Sequence, residues 1–439
     1  MCYFTEDRSL ATTRLVQRRV LRNSRLLLLE RPSAWKFAGG PDFGLAIQRR
    51  ETIIAVGALL ALVATQISGT LAASVFMIAT LGLMASRPIQ SIKDIVTFAP
   101  LLVLPILAIL STTWSDAPQR TARAAMQLFI TFSAAIIISR RLKMSTFVLT
   151  LFYGMLTICL LALPQVPYSV ASGKALIGPF ETKNPMGFAA ELLFTFSLVV
   201  AFDREHNRLI RGAAALTTSL AIPLILLSHS GGALAAAAIT AILLPSFMIF
   251  GRIQMSARIV VLSVVVTLLL VAAVLVPDIQ AGISDFRQNV LGKDATLTGR
   301  TQLWTFAARI VAERPLLGMG YYSFWRQGNI DAEGLWRWAG IGARSGFNFH
   351  NAFVEMRVDL GLVGEIALVI TCVGVALAGL IREIFRPSIP MAGLLALLFV
   401  LYVRSYAETG LIGPFSLMTI LFVATGVYAL APGSKAKVR

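Results

Sequence analysis

Charge and reactive side chains are scarce in this sequence. Only 14% of its 439 residues are Asp, Glu, Lys or Arg, and histidine and cysteine occur three times each. So little charge excludes a soluble globular protein of this length. With 56% hydrophobic residues and a mean hydropathy of +0.76, the expected class is an all-α polytopic membrane protein. Cys159 and Cys372 lie inside apolar runs and Cys2 at the amino end, which leaves no thiolate metal site or disulfide for the long polar segment. A P-loop, a Rossmann glycine pattern, an HExxH helix and a metal-spaced carboxylate cluster are all missing, so neither a metal nor any other cofactor is expected. The formal charge of +17 does not point to nucleic acid, because no basic stripe lies on a soluble helix and the cations fall mostly between apolar runs.

A bilayer needs about 20 apolar residues per helix, and on that rule twelve spans are expected. They fall near 52–68, 70–86, 95–112, 122–139, 145–163, 187–202, 213–228, 231–250, 258–276, 360–381, 391–406 and 410–430. Charge orients them. If the amino terminus is inside, every inner connection carries at least two cations, among them Arg87 with Lys93, Arg140 with Arg141, and Arg382 with Arg386. The short outer connections are poorer, and a long loop is exempt from the rule. Both termini are therefore expected in the cytoplasm. The organisation is a basic tail (1–50) with no cleavable signal, spans one to nine (51–277), one large outer loop (278–359), spans ten to twelve (360–431) and a short tail (432–439). Pro100, Pro105 and Pro223 fall within spans and read as packing kinks.

The outer loop holds four of the six tryptophans (Trp304, Trp325, Trp336, Trp338), His350 and several arginines. Residues 299–314 have the spacing of an amphipathic helix, with Leu303, Ala307, Ile310 and Val311 on one face, Thr298 as N-cap and Pro315 as terminator. Arg300 then sits in the first turn, where the helix dipole favours an anion. A bound phosphate or diphosphate would explain that placement, and a solvated arginine would too. His350 precedes a second helix at 351–359, whose amino-terminal amides favour a neutral imidazole able to accept a proton; a structural histidine is the alternative. Asn348 and Asn351 fit caps or ligands. Tyr321, Tyr322, Phe324, Trp325, Trp336, Trp338, Phe347 and Phe349 suit stacking on sugar faces, and suit a membrane-interface belt as well. An extracytoplasmic reaction without nucleotide needs a donor that carries its own activation, as a lipid-linked diphosphate sugar does.

Three segments of this loop, TGRTQLW, RPLLGMGYYSFW and FHNAFVEMRVDLGLVG, resemble in order the O-antigen ligase and Wzy-type polymerase superfamily of bacterial envelope proteins. LSTTWSDAP (110–118), GPFETKNPMG (178–187) and SHSGGALA (228–235) support the likeness, which covers nearly everything after residue 50. Within the superfamily, GYYSFW and KNPMG are most similar to the ExoQ-like exopolysaccharide polymerases. The resemblance implies an inner-membrane, metal-independent inverting glycosyltransferase, with undecaprenyl-diphosphate-linked oligosaccharide as donor and a glycan as acceptor. It implies membrane lipid, a flippase and a chain-length regulator as partners, and a periplasmic site. It places the family's histidine at His350 and its loop arginine at Arg300. A second family arginine falls where this chain has His229, so Lys183, Arg344, Arg120 and Arg123 become candidates for the second diphosphate cation. Trp304, Tyr321, Trp325, Asn351, Asn184 and His229 are candidate substrate contacts. An O-antigen ligase, delivering glycan to lipid A-core, is the alternative, and a lipid-linked sugar transporter is a different class.

Overall fold

The computed structural model describes residues 41–260 and 299–431, with side chains from Gln48 onward. The amino-terminal tail before residue 41, most of the expected ninth span, the cap expected at Thr298 and the tail after residue 431 lie outside the described residues. The chain divides into two units, 1–50 and 51–439; the first is described only over 41–50, which are helical. All regular structure in the described residues is helical.

Helix α1 (Pro41–Ser86) breaks at Ser68 and Gly69. The Ser86 hydroxyl donates to Glu51 at 3.0 Å and Arg87 pairs with the same carboxylate at 3.0 Å. A straight helix would hold residues 35 apart some 50 Å from each other, at ~1.5 Å per residue. The break is therefore a hairpin turn, and α1 contains the first two expected spans as antiparallel limbs. Helices α2 (Pro88–Thr97) and α3 (Val103–Leu110) form a pair bent by 78° around a 3-10 turn that contains Pro100. Helices α4 (Pro118–Arg141), α5 (Met144–Ala162), the short α6 (Val166–Ser172), α7 (Lys183–Phe202), α8 (Arg208–Leu227) and α9 (Gly231–Phe250) follow. After them come α10 (Arg300–Glu313), α11 (Ile330–Trp338), α12 (Ala352–Phe385), α13 (Ile389–Ser405) and α14 (Leu417–Leu430). Seven of the described helices are long and apolar enough to cross a membrane, eight if the bent pair is one span, and α13 and α14 are shorter apolar helices. Helix α7 is the most enclosed of those seven and packs against α5, α8, α9 and α13.

One expected span is corrected. The twelfth begins at Leu417 rather than 410, because residues 406–416 form an irregular segment held by its own bonds. Ser416 donates to the Gly410 carbonyl (2.7 Å), the Gly413 N–H donates to Thr419 (2.9 Å), and Phe415 has a positive φ.

The two ends of α4 meet different parts of the chain. At its carboxyl end, Arg140 and Arg141 meet Asp94, and Arg141 lies 3.7 Å from Glu51. At its amino end, Arg120 donates to the Tyr322 carbonyl and the Asp116 N–H to Met319. The long loop thus gathers at the end of α4 remote from that basic cluster.

The loop is itself folded. Leu303, Ala307 and Ile310 of α10 form a second apolar core with Phe324, Ala332, Leu335, Trp336, Phe349 and Val358. Its dock onto the bundle is a break in α12 at Gly361 (φ 64, ψ −160). The break frees two carbonyls and two amides. The Met319 and Gly320 N–H groups donate to the Val358 and Asp359 carbonyls, and the Leu362 and Val363 N–H groups donate to Pro315 and Leu316. A methyl group at Gly361 would overlap the Leu316 and Leu317 backbone and force an L-residue into left-handed geometry. Gly361→Ala should destabilise the protein by about 2–4 kcal/mol, read as a lower thermal midpoint in detergent. Gly374→Ala, in open space on the same helix, should leave the midpoint unchanged; equal midpoints for the two variants would refute this docking role.

Candidate functional site

Three segments distant in sequence meet at one carboxylate. Glu408, in the irregular segment after α13, lies with one oxygen 3.8 Å from Nη2 of Arg300 and the other 3.6 Å from Nδ1 of His350. The imidazole distance is an ion-pair approach slightly beyond hydrogen-bond length.

Each partner is held in place by its local backbone. Gly299 (φ 79), rather than the expected Thr298, is the N-cap of α10; Arg300 lies in its first turn, as the spacing predicts, and α10 ends at Arg314 just before Pro315. His350 has a φ of 50°, its N–H donates to the Asn348 side chain at 2.8 Å, and Asn351 caps α12 by accepting from Phe353 and Val354. Asn351 thus acts as a helix cap and Asn348 closes a local turn, and the Asn351 amide oxygen, a candidate substrate contact, is occupied by two backbone N–H groups. The Trp304 indole donates to the Phe349 carbonyl at 2.9 Å, and its ring meets Tyr406 edge-on. Trp304 is a strut joining α10, the turn before His350 and the segment carrying Glu408.

The cation missing from the sequence reading is Arg404, in the last turn of α13. Its guanidinium sits 4.0 Å from the centre of the Phe188 ring, and with Glu408 it lines two adjoining cavities of about 300 and 450 Å³. The smaller also contains Arg300 and the larger His350, while Asn184 lines both and accepts from Ser230 at 3.2 Å. Glu408 and Arg404 went unassigned although they carried a usable signal. An acid and a cation four residues apart at the end of an apolar run are costly to keep there without a use for them.

The remaining candidates lie elsewhere. Arg120, Arg344, Tyr321 and Trp325 line a third cavity of about 630 Å³, where Arg344 is paired with Glu333. Lys183 is exposed in the first turn of α7, Arg123 is exposed on α4, and His229 is exposed at the turn before α9; none of the three lines these cavities.

Burial pushes the Glu408 carboxyl up, but the adjacent His350 and the Arg404 and Arg300 charges outweigh burial and hold it below its ordinary value. A depressed folded value means stability present above the unfolded carboxylate pKa, about 4.3, and lost as pH falls through the folded one. Glu408→Gln should therefore lower the thermal midpoint near neutrality, with the gap to the parent closing as pH drops below about 4.3. A gap of constant size across that range would show that Glu408 carries no such charge.

Comparison with known proteins fits this geometry. A family model described as O-antigen ligase (Wzy_C) matches residues 216–369, which include both Arg300 and His350. The chain is 31% identical over 329 residues to the "Exopolysaccharide production protein ExoQ" of Rhizobium meliloti (strain 1021), covering 73% of this chain and 74% of that protein. The chain therefore belongs to the O-antigen ligase and Wzy-type polymerase superfamily, on its ExoQ-like side.

Proposed function

We propose that the chain is an exopolysaccharide polymerase that joins undecaprenyl-diphosphate-linked oligosaccharide repeat units at the periplasmic face of the inner membrane. The observation that carries this reading is the meeting of His350, Arg300 and Arg404 around Glu408, at the end of the bundle remote from the Arg140 and Arg141 cluster. Greater positive charge marks the cytoplasmic end, so the site faces the periplasm.

In the proposed reaction His350 takes the proton of an acceptor hydroxyl, and the oxygen attacks the anomeric carbon of the donor sugar from the face opposite the diphosphate. The bond to the diphosphate breaks and its electron pair leaves with undecaprenyl diphosphate, so the configuration inverts. Glu408 holds the imidazole with Nδ1 towards it, which leaves Nε2 to accept the proton and stabilises the imidazolium that forms. Arg300 and Arg404 neutralise the charge developing on the leaving diphosphate. Arg404 takes the part that the position of His229 leaves empty, in preference to Lys183, Arg344, Arg120 and Arg123, because it shares a cavity with His350.

The family model's description keeps ligation to lipid A-core as the second reading, since both reactions use this donor and this chemistry. His350→Ala should lower turnover by about two to four orders of magnitude, and Arg300→Ala or Arg404→Ala by about two to three. Purified chain with lipid-linked repeat units in detergent should yield new glycosidic bonds, which a transporter would not. In cells, loss of polymerisation leaves single repeat units on a sizing gel, whereas loss of ligation leaves long chains on the carrier lipid. Full-length polymer from His350→Ala would remove the assigned base.

A further inference from the structure

The cavity of about 630 Å³ is separate from the Glu408 site, and the proposed chemistry gives it no task. Glu355 and Asp359, one turn apart on α12, both line it. Each has one oxygen engaged by a backbone N–H, from Phe349 at 2.8 Å and Tyr322 at 3.0 Å. Paired carboxylates pressed into one wall repel each other and are costly to bury without donors to satisfy them. A second observation points the same way. Tyr321 lines the cavity at 2% exposure, and its hydroxyl makes no hydrogen bond within the chain. Buried hydroxyls are nearly always paired, so one left unpaired beside a cavity leaves a hydrogen bond open to an occupant. Trp325 and Phe347 add aromatic faces to the same lining.

We infer that this cavity is the acceptor subsite and that it takes the hydroxyl-rich terminal sugars of the glycan being extended. Carboxylates and a phenol are the acceptors and donor that sugar hydroxyls need, and aromatic faces stack on the apolar face of a pyranose. Its location fits that use and rests on the transferase reading. Asn348, which holds the His350 N–H, lines this cavity; His350 lines the neighbouring one; and Ser416 lines both. The histidine thus stands at the boundary between a sugar-binding chamber and the one that holds the diphosphate cations, where a base must stand to carry a proton off one substrate while that substrate attacks the other.

The full chain in detergent is titrated with lipid-free repeat-unit oligosaccharide, released from the carrier by mild acid, with tryptophan fluorescence as readout, and separately with undecaprenyl diphosphate. Tyr321→Phe removes a hydroxyl that has no partner in the protein, so folding should be intact. It should weaken oligosaccharide binding about tenfold, as expected for one lost hydrogen bond, and leave lipid diphosphate binding at the parent value. Asp359→Asn should do likewise, and Arg300→Ala should show the reverse pattern. Parent-like oligosaccharide affinity in both Tyr321→Phe and Asp359→Asn would overturn the subsite while leaving the polymerase reading standing. A parent chain that makes no glycosidic bond yet binds the free oligosaccharide through Tyr321 would overturn the polymerase reading instead.

Discussion

The site depends on a single carboxylate shared by two cationic or proton-carrying groups. Glu408 is what brings Arg300, from the start of a loop helix, and His350, from the turn before a membrane helix, to one point. Neither would have reason to approach the other alone, since a guanidinium and an imidazole that can protonate repel. A carboxylate turns the repulsion into a three-centred attraction that is strongest where water is sparse. That attraction adds to what holds the irregular segment 406–416 on the bundle, where the Phe415 N–H donates to Thr131 of α4 and Leu411 and Ile412 are buried.

Aromatic packing supplies the rigidity such a charge cluster needs. Phe324, Trp325, Phe347 and Phe349 contact one another within about 5 Å, and Phe347 lies edge-on to His350. The broken helix α12 anchors this group, because its freed carbonyls and amides accept a whole stretch of loop backbone at Gly361. The aromatics that could have formed an interface belt are thus largely internal, and Trp338 and Tyr322 are the clearly exposed ones among them. Catalytic side chains set on a rigid scaffold lose less activity to misplacement than those on a free loop.

Much of this was legible in the sequence, for identifiable reasons. The hairpin of α1 was visible because two apolar runs meet at Ser68 and Gly69, and α10 because Leu303, Ala307 and Ile310 recur at helical spacing before Pro315. Arg300 and His350 stood out through local chemistry, each beside a helix start. Arg404 and Glu408 did not, because their importance comes from what α7 and the loop bring to them. The start of α14 was misread for a related reason. Leu411, Ile412 and Phe415 are as apolar as any span, but Pro414 and the positive φ of Phe415 belong to buried coil. Hydropathy reports burial and cannot tell a helix from irregular backbone enclosed by protein. Tyr321 was a candidate substrate contact from the sequence, but its unpaired hydroxyl is visible only when its surroundings are.

The resting charge balance carries one more step. Arg300 and Arg404 both bear on Glu408, and Arg404 is within reach of Glu191 as well. On the proposed reaction a diphosphate entering this space meets cations already ordered by a carboxylate. Donor binding is then an exchange of anionic partners, and the guanidiniums need not be gathered from water at that moment. Glu408, displaced from the arginines, still faces His350, and its attraction for the imidazole is then undivided. On that reaction donor entry leaves Glu408 to orient His350 alone, which couples placement of the base with the presence of something to attack.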